Sequence, residues 1–146
     1  MYNKIDNIDD ESVVFDAIVF SKTLVDTADD PNESCGVMLG TKNHVKEIVL
    51  VENETPSPYR FEFSSRKYGE VLSYGIHKNL KLVGIYHTHP QNHPVPSMLD
   101  FDYMEDHPSI WTIYSPRHKS WGSWRRIGND VKPINTNLYY EVLKLQ

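Results

Sequence analysis

Two histidines two residues apart, His87 and His89, lie in Tyr86-His87-Thr88-His89-Pro90, where the apolar run Leu82-Val83-Gly84-Ile85 ends. Alternate residues of a strand share a face, so both imidazoles can turn toward one point. That arrangement suits a metal ion. A catalytic zinc usually takes three protein ligands from His, Asp, Glu or Cys and leaves a fourth position for water. Asp100 follows His89 by eleven residues, at the start of a short helix that Ser97 would cap, and offers a carboxylate near the strand end. Ser97-Met98-Leu99-Asp100 also matches a capping box in which Asp100 serves only the helix N-terminus. Taken singly, His-x-His and Ser-x-x-Asp are more often structural than catalytic.

Their joint spacing is far rarer than either part. His87-Thr88-His89-Pro90, with Ser97 and Asp100, resembles the JAMM signature of the JAB/MPN/Mov34 metalloenzymes. Glu33, in Asn32-Glu33-Ser34-Cys35-Gly36-Val37-Met38-Leu39-Gly40, resembles that family's upstream glutamate segment, and the likeness continues to Trp121-Gly122-Ser123-Trp124-Arg125. The resemblance implies a cytidine-deaminase-like fold and one zinc per chain held by His87, His89 and Asp100. It further implies hydrolysis of an amide bond by a water that the zinc makes more acidic. Glu33 would then be the general base and later the general acid, and Ser97 would donate a hydrogen bond to the oxyanion. Without the resemblance, Glu33 reads as a solvated acid in the loop after Asp29-Asp30-Pro31. Thr88 is expected to pack or hydrogen-bond behind the metal, and Pro90 to fix the exit of the chain.

These residues need elements to hold them. Apolar positions at Val14, Ala17, Ile18, Leu24 and Val25 predict a helix over 13–26 that stops at Pro31. Two short apolar runs, 35–40 and 45–51, flank Thr41-Lys42-Asn43-His44 and predict an antiparallel pair. Two prolines make 53–58 a loop, and the alternation in Arg60-Phe61-Glu62-Phe63 predicts a half-buried strand. Ser64 or Ser65 would cap a helix running to about Lys78. Residues 81–86 form the strand that delivers His87, and three prolines within 90–96 forbid regular structure before the Ser97-capped helix, which ends ahead of Pro108. Strands follow at 110–114 and 121–127, with a further one over 131–134. The mixture predicts an α+β architecture, a mixed sheet packed by helices in a single domain over 1–146. Its core would span about 13–127, with 128–146 a C-terminal extension of weaker pattern.

Composition narrows the function classes. The 146 residues carry 15 basic and 20 acidic side chains, a formal charge of -5, and no basic cluster beyond Arg125-Arg126. Nucleic-acid binding needs a basic face, so it is not expected. The opening MYNKIDNIDDESVVF is polar and acidic where an export signal needs a positive start and an apolar run, and no stretch reaches membrane-spanning length. With one cysteine, Cys35, there is no internal disulfide, and a reducing, cytoplasmic setting without a membrane is expected.

Two other readings compete with the zinc hydrolase. Cys35 with His87 or His89 would make a cysteine hydrolase, although a cysteine opening an apolar strand usually behaves as a small buried hydrophobe. A non-catalytic scaffold is the third, and the complete set of Glu33, Ser97 and three ligands argues against it. A nucleobase deaminase would need His-x-Glu with Pro-Cys-x-x-Cys, which is missing. His93, Asp102, Glu105 and His107 are candidates to orient a ligand rather than bind metal. Only about ten residues separate Asp100 from the next strand, too few for an added subdomain, which resembles the compact prokaryotic or phage forms of the family. Those imply as partner a protein substrate with an extended C-terminal tail, such as a ubiquitin-like or sulfur-carrier protein joined through its terminal glycine, or a phage tail protein. The loop Glu54-Thr55-Pro56-Ser57-Pro58 is the candidate to receive that tail by strand addition.

Overall fold

The computed structural model describes residues 12–141. The elements run β1 (Ser12–Asp16), α1 (Ala17–Thr27), β2 (Cys35–Thr41), β3 (His44–Val51), α2 (Ser65–His77), β4 (Lys81–Thr88), α3 (Met98–Asp106), β5 (Ile110–Ser115), β6 (Ser120–Ile127) and β7 (Asp130–Tyr139). The strands form one mixed sheet in the order β1-β3-β2-β4-β5-β6-β7, closed by parallel pairing of β7 with β1. The expected α+β mixture of a mixed sheet with packed helices is what the chain builds.

Two expectations need correction. Residues 13–16 begin no helix: they belong to β1, where Val13 and Phe15 are completely buried while Val14 and Asp16 are less so, a period of two. The helix starts at Ala17, and its buried residues are Ala17, Phe20, Thr23 and Thr27, whereas Ile18 is 82% exposed. Threonine fills a core face here because Thr23 Oγ1 donates to the Val19 carbonyl and Thr27 Oγ1 to that of Thr23, so neither hydroxyl is stranded. Arg60-Phe61-Glu62-Phe63 alternates in burial as expected but pairs with no strand. Glu54 N donates to the Glu62 carbonyl, and the Asn53 side chain takes the neighbouring positions, bonding Arg60 O and Glu62 N in place of a ladder.

The apolar residues gather on two faces of the sheet. Phe15, Phe20, Met38, Val45, Tyr86 and Ile134 pack with α1, while Val37, Leu39, Phe61, Val71, Ile85, Met104 and Trp111 pack with α2 and α3. Both of the other helices start where expected: Ser64 Oγ accepts from Lys67 N, and Ser97 with Asp100 makes a full capping box. On β4 the second face carries Ile85 and then His87, so burying the strand's apolar face also aims the first histidine. Among the described residues, no helix is long and apolar enough to cross a membrane.

Candidate metal centre

Four buried side chains from three parts of the chain converge: Glu33, His87, His89 and Asp100, with one ligand atom of each within 4.8 Å of the others. β4 supplies His87 at its end, held between Cys35 of β2 and Ile113 of β5. His89 lies one residue beyond the strand, and its amide still donates to the Tyr114 carbonyl at 2.8 Å, which extends the strand's direction. Glu33 precedes β2 and is stitched to the histidine segment through Thr88. Thr88 N donates to Ser34 O at 3.0 Å, and Thr88 Oγ1 accepts from Ser34 N at 2.9 Å, so Thr88 works behind the site as expected. Glu33 N donates to Ser57 O and Glu33 O accepts from Asn53 Nδ2, which ties the 53–58 loop to the same residue.

The ligand atoms form a small triangle. His87 Nε2 and His89 Nε2 are 3.2 Å apart, and Asp100 Oδ2 lies 3.2 Å from the first and 3.0 Å from the second. Zinc bonds of about 2.0–2.2 Å in tetrahedral arrangement imply ligand separations of roughly 3.3–3.6 Å, close to this triangle. The tautomers suit it too. His89 Nδ1 bonds the His93 carbonyl at 2.8 Å, which must be donation from the ring, so in the neutral ring Nε2 keeps its lone pair for the site. His87 is instead held by ring packing, tilted against Phe61 at 4.6 Å and edge-on to Trp111 at 5.5 Å. Its Nδ1 and the Glu33 Oε1 are buried with no hydrogen-bond partner among the described residues. A buried carboxylate oxygen without a partner is expensive, and Glu33 Oε1 lies 4.0 Å from His87 Nε2, facing where a ligand would sit. Residues and geometry therefore fit a divalent cation bound by N, N and O donors.

The electrostatics of the metal-free cluster are those of an incomplete site. Burial, and then the charge of Asp100, pushes the Glu33 carboxyl up to about 9. Burial alone would also raise Asp100, but His87, His89 and the Ser97 amide outweigh it and hold that carboxyl well below the usual range. Burial pushes His87 downward, toward the neutral form that binds metal, with Asp100 partly opposing. Two hollows open on either side. One of about 430 Å³ is lined by Glu33 with Asp30, Asn32, Val51, Asn53 and Pro56, the other of about 230 Å³ by Asp100 with Phe61, Leu99 and Tyr103.

The other candidates fall outside the cluster. Ser97 is half-buried, and its hydroxyl accepts from Asp100 N at 3.1 Å, so the capping and ligand roles of Asp100 coexist. His93 contributes its backbone carbonyl to His89, while its ring stacks on His118 at 3.8 Å. Asp102 and Glu105 are exposed, and His107 packs among Tyr68 and Tyr103. Cys35 is 1% exposed, donates to the Val51 carbonyl, and burial with the nearby Glu33 pushes its thiol up to about 12. A nucleophilic cysteine needs the opposite shift. Sequence reasoning did not foresee Phe61 as the wall behind His87 or Asn53 as the organiser of the loop. For Asn53 the available signal was the turn chemistry of Asn before Glu-Thr-Pro.

Residues 20–127 match the family model described as prokaryotic homologs of the JAB domain. A desampylase from Pyrococcus furiosus is 33% identical over 91 residues, covering 61% of this chain and 65% of that protein, just under two thirds of its length. Among solved structures, a protein from Desulfitobacterium hafniense matches with a TM-score of 0.79 at 20% identity, over 89% of this chain and 94% of that one. The JAB1/MPN domain protein of Archaeoglobus fulgidus matches with a TM-score of 0.56 at 16% identity, over 86% and 97% of the two chains. A protein from Salinibacter ruber gives 0.67 at 22% identity over 87% and 92%. At these identities the structural matches speak for the fold alone.

Proposed function

Given that the chain belongs to the family of prokaryotic homologs of the JAB domain, we propose that it is a zinc-dependent peptidase or isopeptidase acting at the C-terminal tail of a ubiquitin-like or sulfur-carrier protein. The observation that carries this reading is the buried triangle of His87 Nε2, His89 Nε2 and Asp100 Oδ2 with the unpartnered Glu33 Oε1 beside it. The desampylase relative favours a ubiquitin-like protein as substrate class. The short passage from α3 to β5 is in keeping with a compact enzyme that grips the tail more than the body of its substrate.

His87, His89 and Asp100 would hold one zinc. When bound, the ion supplies Lewis acidity, lowering the pKa of a water and polarising the scissile carbonyl. Glu33 then takes the proton of the attacking water and delivers it to the leaving amine, since its free oxygen faces the ligand cluster and has no other bond to break. Its raised pKa suits a group that must hold a proton between these two acts, and a cation nearby would bring it down toward neutrality. The Ser97 hydroxyl accepts the Asp100 amide and keeps its own hydrogen free to donate to the oxyanion. The hollow beside Glu33, walled by the 53–58 loop, would receive the extended tail, with Pro56 at its edge.

Zinc content and hydrolysis test these roles separately. About one zinc per chain is expected, lost in the double variant His87→Ala, His89→Ala. Glu33→Gln should retain zinc and lose cleavage of a ubiquitin-like protein joined through its C-terminal glycine to a lysine. A protein that binds no zinc after reconstitution would sink the metalloenzyme reading. One that binds zinc but cleaves neither peptide- nor isopeptide-linked modifiers would turn it toward a scaffold.

A further inference from the structure

The segment that carries Ser97 and Asp100 is poorly anchored by its own helix. In α3 only Asp100 and Met104 are buried, and Met98 and Leu99 are 86% and 53% exposed. Asp100 must nonetheless hold its Oδ2 3.0–3.2 Å from both histidine Nε2 atoms. Three residues of β6, at alternate positions and hence on one face, meet this segment from outside. Arg126 Nη1 donates to the Phe101 carbonyl at 2.8 Å, the peptide oxygen next after Asp100, while its Nε donates to Gly128 O and its guanidinium lies 3.8 Å from the centre of the Phe101 ring. Trp124 Nε1 donates to the Pro94 carbonyl at 3.0 Å, fixing the loop that leads into Ser97. At Gly122 a Cβ would come within 3.0 Å of that same Pro94 oxygen and 2.9 Å of Trp124 Nε1, so the loop approaches there because no side chain intervenes.

We propose that Gly122, Trp124 and Arg126 form a clamp that positions Asp100 for metal binding, with Arg126 and Trp124 as positioning residues outside the ligand set. The clamp grips backbone carbonyls on both sides of the Ser97–Asp100 turn, so it fixes the turn whatever the side chains on its exposed face. Arginine is needed for this because one planar group donates to Phe101 O and Gly128 O at once and stacks on the Phe101 ring; lysine can do one of these at a time. The β6 face thus completes a site whose ligands all lie more than twenty residues upstream. The inference rests on the metal-site reading for its consequence, and on the structure alone for the clamp.

Amide hydrogen exchange and zinc titration, performed on the full chain, test it in two independent ways. In metal-free protein, Arg126→Ala and Trp124→Phe should each speed exchange at the amides of Asp100 and of the α3 residues that follow it, leaving β2 and β4 unchanged. Trp124→Phe keeps an aromatic side chain, though a smaller one, and removes the N–H that reaches Pro94 O. With zinc, both variants should bind roughly tenfold more weakly, the scale seen when partners behind a metal ligand are removed. Arg126→Lys should fail to restore affinity. Uniformly faster exchange across β2, β4 and α3 would mean ordinary loss of stability and overturn the clamp, as would zinc affinity equal to wild type in both variants. If wild type itself bound no zinc, the metalloenzyme reading would fall, while the local exchange result would still decide whether the clamp exists.

Discussion

Replacing Glu33 by glutamine in metal-free protein should stabilise the fold near neutral pH and leave it almost unchanged in acid. The buried carboxyl, with Asp100 as neighbour, has its pKa pushed to about 9 from an ordinary value of 4.5. A group whose folded pKa is raised favours folding fully below its unfolded pKa, and that advantage is lost as pH rises toward the folded value. Near pH 7 the folded chain must therefore keep a proton that the unfolded chain has given up. At about 1.4 kcal/mol per pH unit between 4.5 and 7, this amounts to roughly 3 kcal/mol. Glutamine fills the same space and does not ionise, so the variant should gain on the order of 2–3 kcal/mol near pH 7, or about 5–10 °C in melting temperature for a chain of this size. Near pH 5 the gain should shrink to about 0.8 kcal/mol. Urea denaturation of chelator-treated wild type and variant at the two pH values measures the difference directly. Saturating zinc should reverse the gain, because a cation beside Glu33 favours its carboxylate. A gain that is the same near pH 5 and pH 7, or a variant less stable than wild type near pH 7, would refute the electrostatic account of the cluster.

Three further outcomes follow from neighbouring contacts. With its thiol pushed up to about 12 and 1% exposed, Cys35 should resist iodoacetamide in the native protein near pH 7 and react on unfolding, as read by intact mass, while phenanthroline but not the alkylating agent abolishes hydrolysis. Thr88→Val removes the acceptor for Ser34 N and should lower stability by about 1–3 kcal/mol; because that bond ties Glu33 to β4, the rate of hydrolysis should fall further than zinc affinity. Gly84→Ala would put a Cβ 1.9 Å from the Ile110 carbonyl, so β4 and β5 must separate, and the variant should show a melting point lowered by many degrees or fail to accumulate.

Much of the site was legible because its pieces are local. His-x-His at a strand end and Ser-x-x-Asp at a helix start follow from short-range rules, whereas Glu33, a solvated loop acid by those rules, was singled out by the family resemblance. Their convergence in one buried cluster required the fold, and the capping box, read from the sequence as the alternative to a ligand role, leaves Asp100 Oδ2 beside both histidines. The helix caps at Ser64 and Ser97 were equally readable. Residues 13–16 were not, because Val14, Ala17 and Ile18 fit a helical spacing as well as Val13 and Phe15 fit a strand, and only pairing with β7 and β3 decides between them. The buried threonine face of α1 escaped notice since hydroxyls are counted as polar until their bonds to the preceding turn are seen. The support from β6 was invisible for a further reason. Its hydrogen bonds go to backbone carbonyls of Pro94 and Phe101, which leave no mark in the identity of those residues, and the stacking of Arg126 on the Phe101 ring joins parts of the chain far apart in sequence.

The parallel pairing of β7 with β1 joins the two ends of the described chain, Ser12 beside Asn135 and Asp16 beside Tyr139. For a chain made from its N-terminus this sets an order of events. Every member of the metal cluster has been synthesised by Asp100, thirty residues before β7 begins. Until β7 emerges, β1 can pair only with the first two residues of β3, and β6 has an open edge. The whole cluster therefore precedes in the chain the strand that shuts the barrel, and β7 is the latch that closes the sheet around it.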